Sequence, residues 1–161
     1  MSKTWEERVA AAYAEAERNP DGLLDAIARL TAPLDADDPL RPFEIASAHD
    51  YLGREAEAIP LYRRALELGL SGEQRLRCQI QLASSLRNVG RADEGANVLA
   101  PLLSATTGSA QDWVRSFLAL CLASAGEPTK ATGVALEGLS AHLTSYQEPV
   151  RRYARRLYED G

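Results

Sequence analysis

The chain has 161 residues, enough for one domain with a real core and too few for two comfortable ones. Its net charge of −5, from 18 Lys and Arg against 23 Asp and Glu, repels polyphosphate and counts against a nucleic-acid partner. No run of about 18 apolar residues is present, which counts against a membrane span, and Met1 to Glu7 lead into a charged amphipathic stretch, so cytoplasmic residence is expected.

Helical periodicity runs through almost the whole chain, and no alternating Val/Ile/Thr-rich run announces a strand. The first helix is expected after Thr4, because Thr4 and Glu7 have capping-box spacing. Trp5, Val9, Ala12 and Ala16 make its stripe, and Asn19-Pro20 ends it. A second helix, about Leu23 to Ala32, carries Leu23, Ile27 and Leu30 on one side. The acidic run Asp35 to Pro39 reads as an exposed link; a cation site there would need many more oxygens in a tight turn. Residues 40–145 read as three helix pairs. Glu148-Pro149 then opens a terminal helix over about 148–160, with Pro149 suited to the first helical position. Cys78 and Cys121 lie far apart within apolar helical patterns, which makes them buried thiols rather than zinc ligands.

Gly53, Gly90 and Gly126 anchor an internal repeat with spacings of 37 and 36 residues. Seven residues before each stands Ala46, Ala83 or Ala119; five after stands Ala58, Gly95 or Ala131; nine after stands Tyr62, Leu99 or Ala135; thirteen after stands Leu66, Leu103 or Leu139. Small residues at matched points let two antiparallel helices approach closely, and the larger ones fill the layer between pairs. The glycine supplies the positive φ that ends the first helix before a tight turn.

The run Gly53-Arg54-Glu55-Ala56-Glu57-Ala58-Ile59-Pro60-Leu61-Tyr62-Arg63-Arg64-Ala65-Leu66 resembles the tetratricopeptide repeat (TPR) family, whose unit is ~34 residues. With Gln79 to Gly90 it is similar to small free-standing bacterial TPR proteins. The resemblance implies an all-α fold, a right-handed α/α superhelix of about three helix pairs at 40–145. A divergent N-terminal helix pair at 1–34 would precede it and a capping helix at 148–160 would close it, within one domain. The family's early tryptophan is replaced by Pro42, Gln79 and Arg115, and its late proline by Leu70, Thr107 and Leu143. Ala135 stands where an aromatic is usual, with Trp113 or Phe117 as compensation.

By the same resemblance, first helices line a concave groove, and its candidate residues lie off their packing stripes. The first repeat offers Glu44, Ser47, Asp50 and Tyr51, the second Arg77, Gln81, Ser84, Arg87 and Asn88, and the third Trp113, Phe117 and Leu120, with Ser124. Such a groove grades from acidic through basic to apolar, which suits a peptide or protein segment. The alternative for Asp50 and Arg87, equivalent positions on adjacent helices, is that they pair with each other. Ser47 has no lysine four residues before it, so capture of a C-terminal carboxylate in the manner of some family members is not supported.

His49-Asp50 resembles a metal-binding dipeptide, but the only other histidine is His142, and His49 holds a position taken by Leu86 and Leu122 in the later repeats. A partly buried structural histidine is the reading. No nucleophile elbow, phosphate-cradling loop or paired-carboxylate motif appears, so neither catalysis nor a cofactor is expected. Arg151, Arg152, Arg155 and Arg156 form a polar face on the terminal helix, opposite Val150, Tyr153 and Leu157, which should cap the third repeat. The helix bearing Trp113, Phe117 and Leu120 is apolar almost all round, and such helices are normally buried all round. A homodimer through those three residues is therefore the rival to peptide binding.

Overall fold

The capping box forms as its spacing demands: the Thr4 hydroxyl accepts from the Glu7 amide at 3.2 Å, and the Glu7 carboxylate accepts from the Thr4 amide at 2.8 Å. Two of the donors orphaned at a helix start are thereby satisfied. The computed structural model describes residues 3–159, and every regular element among them is helical. The chain folds as two units, Met1–Gln81 and Leu82–Gly161.

The first unit contains α1 (Trp5–Ala16), a single 3-10 turn at Pro20–Gly22, α2 (Leu23–Thr31), α3 (Leu40–Tyr51), α4 (Glu55–Glu67) and the opening turns of α5 (Gly72–Asn88). Ala16, Leu23, Ile27 and Ala48 form one buried cluster, which joins the N-terminal pair to α3. Asp38 spends its carboxylate on the amide of Leu40 at 2.9 Å, so the acidic link acts as a turn that launches α3. Pro60, inside α4, lies on the exposed side. Ala46 and Ala58, the paired small residues of this repeat, are both fully buried, as is Tyr62.

The second unit holds the rest of α5, then α6 (Ala92–Leu99), α7 (Leu102–Ala105), α8 (Gly108–Ser124), α9 (Pro128–Ser140) and α10 (Gln147–Glu159). The second helix of the middle repeat is shorter than a simple pair requires, because Pro101 separates α6 from α7; proline has no N–H for the ladder. Gly95 shows why small residues recur in this register. A Cβ there would lie 2.7 Å from the Ala83 carbonyl oxygen and 3.0 Å from Cys121 Sγ. The backbones therefore approach to a distance that no side chain permits.

Each repeat turns the same way. Gly53, Gly90 and Gly126 have φ of 68°, 81° and 86°. The next amide reaches back to the helix: Arg54 to the His49 carbonyl at 2.9 Å, Arg91 to Leu86 at 2.8 Å and Glu127 to Leu122 at 2.9 Å. These are Schellman closures, and they account for a glycine at all three sites.

The terminal helix corrects one expectation. Tyr153 is 55% exposed, and Ala154, one residue on, is fully buried. A Cβ on Gly133 of α9 would lie 2.7 Å from the Ala154 carbonyl oxygen and 3.1 Å from Leu157 Cβ. The packing side of α10 against α9 is thus that of Ala154 and Leu157, since close backbone approach selects the small residue and turns the tyrosine outward.

Candidate functional site

The two units present different surfaces. In the first, Tyr13 on α1 and Tyr51 at the end of α3 meet edge to face, with ring centroids 5.3 Å apart and planes 73° apart. Tyr51 remains 49% exposed, braced by Tyr13 but open to solvent. Beside them, Asp50 accepts a hydrogen bond from the Tyr62 hydroxyl at 3.3 Å, and Glu44 accepts one from Trp5 Nε1 at 3.3 Å. Glu44 is only 8% exposed, so it lies largely within the unit rather than on an open wall. Burial pushes its carboxyl above the ordinary range, with Glu6 adding to the effect; the Trp5 hydrogen bond and the Arg77 guanidinium act in the opposite sense.

Tyr13 is held in its neutral form by burial first, then by the nearby Glu44 and Asp50 carboxylates, against the opposing pull of Arg77. Its hydroxyl oxygen is buried and has no hydrogen-bond partner among the described residues. Ser47 is buried too; its hydroxyl donates to the Phe43 carbonyl at 3.0 Å and lies 3.5 Å from Gln81 Oε1. The helix ladder thus absorbs Ser47, whereas Asp50 and Gln81 are half-buried and Arg77 exposed. Sequence reading missed Trp5 and Tyr13, which belong to the N-terminal pair outside the repeat. Their signal was present, since Trp5, Val9 and Tyr13 share one side of α1 at helical spacing.

In the second unit, Ser84 and Arg87 are half-buried, and Arg87 donates to the exposed Asn88 side chain at 2.9 Å. Arg87 Nε is buried without a hydrogen-bond partner among the described residues. On α8, Leu118 is buried, Phe117 is half-buried, Ser124 is exposed, and Trp113 and Leu120 are 44% and 47% exposed. Leu120 faces an open groove between α8 and α9, about 670 Å³ in volume, which Leu139 also lines at 53% exposure. At one end of it His142 Nε2 stands 3.1 Å from Asp112. Tyr62 and Ala135 are equivalent by repeat position, yet one is buried and the other exposed. In the first unit α5 lies over Tyr62, with Cys78 Sγ 3.5 Å from its carbonyl oxygen; in the second, α10 packs on α9 through Gly133 and leaves the groove open.

His49 is half-buried, and Nδ1 has no hydrogen-bond partner among the described residues. No group of three or more His, Cys, Asp or Glu side chains among the described residues is placed to hold a metal ion. Cys78 and Cys121 are buried free thiols; burial pushes Cys78 up to about 12 and raises Cys121, with Arg75 and Arg87 respectively opposing. No helix among the described residues is long and apolar enough to cross a membrane.

No curated protein and no solved structure matches the chain. The model of a family described as Tetratrico peptide repeat matches residues 39–157, which takes in all three repeats and most of α10 and leaves out the N-terminal pair. With its glycine-closed helix pairs and small-residue register, the chain belongs to the tetratricopeptide repeat family.

Proposed function

We propose that this protein is a non-enzymatic interaction module that seats a segment of a partner protein against the face of its first unit bearing Tyr51, Asp50 and Arg77. Proteins built of these repeats generally bind proteins or peptides. The observation that carries the reading here is Tyr51, a large ring half open to solvent yet braced edge-on by Tyr13. A rigid amphipathic ring loses little conformational freedom on binding, which is why tyrosine recurs as an interface anchor. Replacing Tyr51 by a photo-crosslinking residue tests it, with the same replacement at exposed Glu57 on α4 as control. Specific adducts from position 51 alone are expected, and equal yields from the two positions refute the reading.

A second reading has its own observation. Leu120 and Leu139 are each about half exposed along one groove, and Trp113 is exposed on the same helix as Leu120. Self-association would cover them, most simply about a two-fold axis. Sedimentation at micromolar concentration tests this, with Phe117→Glu and Leu120→Glu as probes. A wild-type monomer sinks the dimer; dimeric variants move its interface elsewhere.

A further inference from the structure

Resting on the self-association reading above, we propose that the groove between α8 and α9 is the seat for a fourth repeat's first helix, and that α8 of a second copy fills it, antiparallel about a two-fold axis. The repeat itself states what such a seat takes. In the middle repeat Ala83 and Leu99 are fully buried, and a Cβ on Gly95 would meet Cys121 Sγ at 3.0 Å. The same sulfur lies 3.7 Å from the Ala83 carbonyl oxygen, so α8 fills that seat with a small residue at its closest point. Ala119, Ala131, Ala135 and Leu139 hold the equivalent register in the third repeat, and all four line the open groove. Here Ala135 is exposed and Leu139 half exposed, because α10 packs on α9 through Gly133 instead. A register built to receive a first helix is left uncovered.

The outer side of α8 has the form of such a helix. Trp113, Ser116, Leu120 and Ala123 share one side at helical spacing, and all four are exposed. Ser116 and Leu120 already line the groove. The stripe is complementary to itself when reversed. With two α8 helices antiparallel about a midpoint at Leu118, Trp113 comes level with the partner's Ala123, and Ser116 with the partner's Leu120. Each large side chain thus meets a small one, and a two-fold axis makes every such contact twice.

Charge favours a second copy over an acidic or basic partner helix. Between Trp113 and Ser124 the one charged residue is Arg115, whose side chain is 16% exposed and donates to Gln111 Oε1 at 2.7 Å. Asp112 and His142, 3.1 Å apart, mark one end of the groove. The antiparallel arrangement sets that end beside the partner's Ala123 and Ser124, which carry no charge. Leu82–Gly161 holds eight acidic and eight basic side chains, so two copies of this unit approach without net repulsion.

The experiment uses the full chain. Sedimentation at micromolar concentration is expected to show a dimer, and Ala135→Arg, which puts a charged side chain on the floor of the groove, should raise its dissociation constant about tenfold or more. Residue 135 is exposed, so the variant should melt near wild type. Register is read by replacing Ser124, exposed at the end of α8, with a photo-crosslinking residue. The crosslinked dimer, digested and sequenced by mass spectrometry, should carry its attachments within 109–116 of the second copy. Attachments at 120–127, no crosslinked dimer, or a dimer indifferent to Ala135→Arg overturns the antiparallel seat; the self-association reading then stands on another surface. A monomeric wild-type chain sinks both.

Discussion

Gly95→Ala adds one methyl group at the tightest point of the middle repeat. The new Cβ would lie 2.7 Å from the Ala83 carbonyl oxygen, 3.0 Å from Cys121 Sγ and 3.4 Å from the Ala83 carbonyl carbon. Two of those atoms are backbone, so relief requires α6 to move from α5 as well as a sulfur to turn. Overpacking of this kind costs ~1–3 kcal/mol. Alanine recovers about 0.8–1 kcal/mol of helix propensity over glycine, which offsets part of that. The clash sets the sign because the obstructing backbone atoms cannot rotate away; a net loss of up to about 2 kcal/mol is expected. For a chain this long each kcal/mol is worth about 2–4 °C, so the melt should fall, by up to roughly 8 °C. Gly22→Ala is the control: its φ is −84°, and the nearest atom to a new Cβ is Asn19 Nδ2 at an ordinary 3.5 Å. That variant should melt at or slightly above wild type. Thermal melts followed by circular dichroism decide the matter. Gly95→Ala melting with Gly22→Ala, at or above wild type, would falsify the close-approach account of the repeat register.

Gly133→Ala should loosen α10, because its Cβ would press on the Ala154 carbonyl and the Tyr158 amide; faster hydrogen exchange confined to 147–159 is the expected sign, and unchanged protection there refutes it. Glu44→Gln tests the buried carboxylate through pH. The folded-state pKa of Glu44 is raised above 4.5, so the wild-type residue favours folding below about 4.5 and loses that contribution as pH rises through the folded value. The variant should therefore gain on wild type from acid to neutral pH, and a gap that stays constant across that range would exclude the desolvation account. Native Cys78, fully buried with its thiol pushed up to about 12, should resist a thiol reagent at pH 8 and react on unfolding. Rapid labelling of the folded chain would show that this core opens readily.

What sequence by itself determined is local or periodic. The Thr4–Glu7 cap, the three glycine turns and the small-residue register each depend on residues a few positions apart or on a repeat that states itself three times. Helical period says which residues share a side: Leu118 and Leu120 stand on different sides of α8, one buried and the other exposed. It does not say what lies opposite that side. Glu44 sits off the apolar stripe of α3 by spacing, yet α1 brings Trp5 to it and closes it in. Tyr51 gains its brace from Tyr13, a residue of the N-terminal pair that no repeat pattern links to it. Val150, Tyr153 and Leu157 form a plausible packing side on paper, and Gly133 instead draws in Ala154 and turns Tyr153 outward. The groove between α8 and α9 stays open for the same kind of reason. Only the tertiary structure decides which neighbour each side meets, because that choice depends on how closely two backbones can approach, and the limiting residue stands on the other helix.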